Sequence, residues 1–77
     1  MTWQRLTSLD KPFQTYRIDI EGEERADGTW GGRIVFVDGD TRRVTGQETS
    51  QPNRAAVEYW GTGLETVYLE GALGRAK

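Results

Sequence analysis

Four groups of side chains have types and spacings that chemistry could use. Asp38 and Asp40 flank Gly39 and offer oxygen ligands to a hard cation. A calcium loop needs several more ligands in register, which are absent here, so the pair reads as turn residues. Glu21, Glu23 and Glu24 could supply a general acid and base, but nothing around them suggests a pocket. They read instead as a solvated strand face, partly paired with Arg33. Arg33, Arg42 and Arg43 form a candidate basic strip, which could stack single-stranded nucleic acid if Trp30 or Tyr59 lay beside it. Asp19 and Glu21 share that face and largely cancel its field. Gln51, Asn53 and Arg54 stand at a predicted helix start, where free backbone donors favour anions, although most such clusters only cap the helix.

The composition removes most other chemistry. The chain contains no His and no Cys. Without them there is no Ser-His or Cys-His nucleophile, no usual zinc ligand set, no disulfide and no physiological-pH switch. Only carboxylate, hydroxyl, Lys or Arg chemistry remains. The sequence therefore predicts a protein that is not an enzyme and has no catalytic, cofactor or metal site. A net charge of −2 and a pI near 5.0 oppose general binding to nucleic acid, which depends on neutralising phosphates. Eight of the ten basic residues are Arg, the better interface residue because its planar fork pairs bidentately and stacks on aromatics. No apolar run approaches the roughly 18 residues of a membrane span, and no signal-peptide pattern opens the chain. A soluble cytoplasmic protein is expected.

The elements that would position these groups follow from periodicity. With 77 residues there is room for a single domain, predicted over 16–77, on which a segment over 1–15 docks through Trp3, Leu6, Leu9 and Phe13. Ten Gly favour tight turns over long helices. Tyr16, Ile18 and Ile20 alternate with Arg17, Asp19 and Glu21, the period of a half-buried strand. Trp30, Ile34 and Phe36 share one parity of a second strand. A three-residue loop, Ala26-Asp27-Gly28, pairs Ile20 with Ile34, Ile18 with Phe36 and Glu21 with Arg33. A two-residue loop would turn the apolar sets to opposite faces. "DGD" at 38–40 makes the next turn, expected to bring Val44 beside Ile34 and Thr45 beside Arg33. Ile34, Val35, Phe36 and Val37 are apolar on both parities, so this strand is predicted to be central and covered on both faces. Helices can cover one face. Val35 and Val37, on the other, need the 1–15 segment, a second copy or another protein.

From Ser50 onward the period becomes helical. Ser50 is the expected N-cap, with Pro52 in the first turn. Asn53, Ala56, Val57, Trp60 and Leu64 form one stripe, and Gly61 is the expected stop. Thr62 and Glu65 have capping-box spacing, and Leu69, Ala72, Leu73 and Ala76 form a second stripe. Trp60, Leu64 and Leu69 are assigned to the core. The alternative makes Thr66–Glu70 a fourth strand, with Val67 and Leu69 alternating against polar neighbours.

From about Tyr16 to Ala76 the chain resembles a family of small uncharacterised bacterial proteins. The residues that carry this are Asp27-Gly28-Thr29-Trp30, Gln51-Pro52-Asn53-Arg54, Tyr59-Trp60, Gly63-Leu64-Glu65 and Val67 through Leu73. That resemblance implies no activity. A second, topological likeness is to HicB-like antitoxin domains, through Asp27-Gly28 before an aromatic-led strand and Gly46 to Thr49 before a helix. It implies a partner-binding protein that neutralises a small RNA-cleaving toxin. The chain departs from that family in carrying "VDGDTRRV" where the family has "pdlpGc".

Together these readings predict an α+β domain, a three-stranded antiparallel β-meander with two C-terminal helices packed on one face. The expected role is a non-enzymatic protein-interaction module, binding another protein or a second copy through Val35 and Val37. The competing role is an RNA- or DNA-binding accessory protein using Arg33 and Arg43, or an antitoxin-like partner of a small toxin. Gln51, Asn53 and Arg54 remain a candidate polar binding site.

Overall fold

The computed structural model describes residues 2–77. It is α+β, with an antiparallel sheet and two C-terminal helices. The strands are β1 (Gln4–Ser8), β2 (Arg17–Glu24), β3 (Trp30–Asp38), β4 (Thr41–Val44) and β5 (Thr49–Gln51), and the helices are α1 (Arg54–Thr62) and α2 (Thr66–Arg75). The sheet order is β1-β2-β3-β4, with β5 also on β3. The expected meander is β2-β3-β4, and two further strands extend it. One comes from the N-terminal segment, which supplies β1 along the edge of β2. The other, β5, pairs with Trp30–Gly32 while β4 pairs with Val35–Asp38, so the two share one edge of β3.

The β2–β3 hairpin has the predicted register: Ile20 opposite Ile34, Ile18 opposite Phe36, Glu21 opposite Arg33. Its loop is fixed locally. The Arg25 N–H donates to the Thr29 carbonyl, and the carboxylate of Asp27 accepts from both the Thr29 N–H and its hydroxyl. Gly28 has φ +88°, a conformation that strains any residue with a Cβ. The next turn corrects the expectation. Asp38 pairs with Thr41, leaving Gly39-Asp40 as a two-residue turn, and Val44 lies opposite Val35 rather than Ile34. This slip of one residue exchanges the faces of β4. Arg43 therefore points to the helical side, where it donates to the carbonyls of Leu73 and Ala76 and satisfies the end of α2. Thr45 lies beside Ile34, not Arg33, and its hydroxyl accepts the Ile34 N–H.

Ile18, Ile20, Ile34 and Phe36 project from one face of the sheet and are fully buried under Val57, Leu69 and Ala72 of the helices. Phe13 closes one end of this core, its ring 5.9 Å from that of Phe36. Leu6 and Leu9 pack on the same side, and Trp60 is partly buried against it. Residues 66–75 are helical, not a strand. Leu69 and Ala72 then share the buried side, while Gly71 and Gly74 fall on the exposed side where the missing side chains leave no gap.

The helix ends differ from the sequence expectation. Asn53, not Ser50, is the N-cap of α1, its side chain accepting from the Ala56 N–H at 2.9 Å. Ser50 is taken by β5, opposite Gly31. Gly61 does not stop the helix; α1 runs to Thr62 and Gly63 is its cap. Gly61 is instead where α1 touches the sheet, and a Cβ there would lie 2.6 Å from Ile20 Cγ1. The capping box of Thr62 and Glu65 is not formed. Thr62 donates back to the Tyr59 carbonyl, and Glu65 makes no side-chain cap.

Candidate functional site: the open face of the sheet

Both helices pack on one side, so the other face of the sheet is the broad surface without a second layer among the described residues. Its side chains follow from register. Arg17, Val37 and Arg42 form one cross-strand row; Ser8, Asp19, Val35 and Val44 the next; Arg5, Glu21 and Arg33 a third; Glu23 and Gly31 a fourth. Trp3 lies over the last two rows, its ring centre 4.4 Å from the Arg33 guanidinium and 5.3 Å from that of Arg25. Cation–π contact of this kind orients both cations.

Ion pairs organise the rows. Glu21 accepts from Arg33 at 2.7 Å and from Arg42 at 2.9 Å. The second bond runs diagonally from β4 to β2, across the position of Val35. Val35 is only 1% exposed. The expected bare patch at Val35 is thus roofed by charged side chains of its own sheet, whose aliphatic stems cover apolar surface. Of the N-terminal segment, Trp3 lies on this face against Arg33 of the roof and Ser8 stands in the Val35 row, while Leu6, Leu9 and Phe13 pack on the helical side. Val37 and Val44 remain half-buried. Arg17 donates through Nε and Nη2 to Asp19, which also accepts from the Ser8 hydroxyl at 2.6 Å. Burial pushes the Asp19 carboxyl upward, but those hydrogen bonds outweigh it and hold it below the ordinary value. Arg25 pairs with Glu23 and also donates to the Gln47 side chain.

Five guanidiniums, Arg5, Arg17, Arg25, Arg33 and Arg42, thus share this face with three carboxylates, Asp19, Glu21 and Glu23. The face carries +2 on a chain whose total is −2, so the rest of the molecule carries −4. The guanidiniums of Arg17 and Arg42 are about half exposed, with side-chain exposures of 54% and 51%.

The other predicted residues are scattered. Arg33 lies on the open face but Arg43 does not, so the strip of Arg33, Arg42 and Arg43 is split between the two faces. Neither Trp30 nor Tyr59 is the aromatic beside the open-face cations; Trp3 is. At the start of α1, Asn53 spends its acceptor on the cap, Arg54 pairs with Glu58 one turn on, and Gln51 donates to the Thr49 hydroxyl. These three side chains do not converge on a common point. Asp38 accepts from the Thr15 hydroxyl. Among the described residues no three acidic side chains gather as a cation site would need.

One cluster was missed by sequence reasoning. Glu48, in the β4–β5 connection, accepts from the Tyr68 hydroxyl at 2.6 Å and from Arg75 at 2.7 Å, both on α2. The hydrogen bond from Arg75 lowers the Glu48 pKa against the opposing effect of burial, and Tyr68 adds to the lowering. Burial, then its bond to Glu48, raise the Tyr68 hydroxyl. Tyr68 and Arg75 are one helical stripe, seven apart, which is the only signal the sequence held. Arg5 was also passed over, because its place on this face depends on β1 joining the sheet; Trp3 was read only as part of the docking segment and Arg17 only through the parity of β2.

Comparison of the chain with family models, with characterised proteins and with solved structures finds no match. Within the described residues no helix is long and apolar enough to cross a membrane.

Proposed function

We propose that this chain is a non-enzymatic protein-interaction module that binds through the open face of its sheet. The observation that supports it is the row Arg17–Val37–Arg42 with Val44 beside it: half-buried valines between half-exposed guanidiniums, on a face the helices leave uncovered. Interfaces are enriched in Arg and aromatic residues around an apolar centre, and this face also holds Trp3. The resemblance to HicB-like antitoxin domains would give such a module one setting, with a small toxin as the partner.

The test is affinity capture with the intact protein and a Val37→Lys variant side by side. Val37 is only half-buried, so the variant should keep the parent's dispersed amide NMR spectrum. A protein held in stoichiometric amount by the parent and lost by the variant supports the reading. Equal capture by both would remove the open face as the binding surface.

A second reading, a nucleic-acid accessory protein, is favoured by Trp3 lying against Arg25 and Arg33. Three carboxylates interleaved with the cations weigh against a phosphate chain. Binding to single strands that falls steeply with added salt would favour it over the first.

A further inference from the structure

We infer that the open face takes an extended acidic segment of a partner protein, with carboxylates at Arg17 and Arg42 astride an apolar side chain on Val37 and Val44. This rests on the interaction-module reading and specifies its partner. Three features point to it. The first is charge. The face carries +2 while the rest of the chain carries −4, so an anionic partner is drawn to this side and repelled elsewhere. The second is unused donor capacity. Among the described residues, Arg17 engages Asp19 through Nε and Nη2, which leaves Nη1, and Arg42 engages Glu21 through Nη2, which leaves Nε and Nη1. Each has donors for a further carboxylate, because a guanidinium has five N–H groups arranged as a fork.

The third is spacing. Arg17 and Arg42 stand on either side of β3, two strand separations or about 10 Å apart at the backbone. In an extended chain, residues i, i+2 and i+4 point to one side, and the outer two stand about 13 Å apart. Arg42, whose guanidinium reaches inward across β3 to Glu21, swings outward from that half-exposed pair to span the difference. An acidic–apolar–acidic set at alternate positions therefore fits across the row, its central side chain over Val37. A nucleic-acid strand fits less well, since it carries a charge at every nucleotide rather than at two positions and so meets more of the repulsion from Asp19, Glu21 and Glu23.

The probe is a synthetic peptide with Glu, Leu and Glu at alternate positions and Ser or Thr between them, titrated into the isotope-labelled intact chain. Amide shifts should move at Arg17, Val37, Arg42 and Val44 and leave α1 and α2 unmoved. Arg17→Gln and Arg42→Gln should each weaken binding by roughly tenfold, about 1.4 kcal/mol, with the spectrum otherwise that of the parent. A Lys-Leu-Lys peptide should give no shifts. Shifts on the helices, indifference to both Gln variants, or equal binding of the Lys peptide would overturn the proposal. So would preferential binding of oligothymidylate at the same residues. If the acidic peptide fails while Val37→Lys still abolishes capture of a protein, only the partner chemistry is wrong. If Val37→Lys has no effect either, the interaction-module reading falls with it.

Discussion

Ile34 and Phe36 on one side of β3 and Val35 on the other are almost equally hidden, at 0%, 0% and 1% exposure, yet their covers differ in kind. Ile34 and Phe36 lie under helices whose own apolar residues have nowhere else to go. Phe36 also has the rings of Phe13 and Tyr16 at 5.9 and 5.7 Å. Val35 lies under the Arg42–Glu21–Arg33 bridge, whose outer end is half in water. Packing of the first kind is dense and slow to open. In the second kind, the Arg42–Glu21 pair is half exposed at Arg42, where such pairs are worth about 0–1 kcal/mol, whereas Arg33–Glu21 is largely buried at both ends. The helical face is thus closed by apolar packing, whereas the open face is closed by charged side chains.

Truncation at adjacent positions of β3 measures this difference directly. Phe36→Ala should cost about 3–5 kcal/mol, the range for a fully buried aromatic, and would unfold much of a chain this small. Val35→Ala should cost only about 1–2 kcal/mol, and less per carbon removed, because the charged roof can settle into the gap or admit water. Denaturant melts of both variants give the ratio. Equal costs per carbon would show that the open face is packed as rigidly as the helical one.

A smaller effect tests how close the helical layer sits. A methyl group at Gly61 would stand 2.6 Å from Ile20 Cγ1, so Gly61→Ala forces α1 off the sheet. Overpacking costs about 1–3 kcal/mol, offset by up to about 1 kcal/mol of helix propensity, for a net loss of about 1–2 kcal/mol. Ile20→Val in the same chain should recover part of it. Gly74→Ala, with nothing within reach of its new methyl, should stabilise instead. A Gly61→Ala variant as stable as the parent would place α1 further from the sheet than this packing requires.

Which features the sequence disclosed follows the same division. The apolar parity of β2 and β3 and the Gly28 loop agree on one register, because a slip would expose Ile18, Ile20 and Phe36 together. For β4 the pattern was indifferent. Val44 finds an apolar neighbour beside either Ile34 or Val35, and the choice is made by Arg43 reaching the end of α2 and Thr45 meeting the Ile34 N–H, contacts that exist only in the folded chain. Ser50 and Asn53 are equally good caps by type; Ser50 loses because β5 claims its backbone. Arg33 could be placed on the open face from parity alone. Arg17 follows from the same parity on β2, but Trp3 and Arg5 could not be gathered there without β1, and β1 carries no clean alternation because Leu6 sits at an irregularity in its pairing with β2.

The smallest effect concerns the charged cluster that ties α2 to the β4–β5 connection on the helical side. Glu48 holds Tyr68 and Arg75 there, and its folded pKa lies below the ordinary carboxylate value. A group so depressed contributes stability that is full above its unfolded pKa, about 4.3, and is lost as pH falls through the folded value. Asp19 and Asp27 are depressed as well and lose their contributions in the same direction. Glu48→Gln should therefore lower stability by about 1 kcal/mol at neutral pH, with the deficit shrinking as the pH falls through the acid range. The acid limb of the variant should be shallower than the parent's, but not flat. Chemical denaturation at a series of pH values supplies both curves. If the helical side is held mainly by apolar packing, α2 stays seated in the variant and amide exchange at Leu69 and Ala72 is little changed. Rapid exchange at those two positions, with the rest of the core still protected, would mean that an ion pair rather than packing fastens α2, and the contrast between the two faces would then hold for α1 alone.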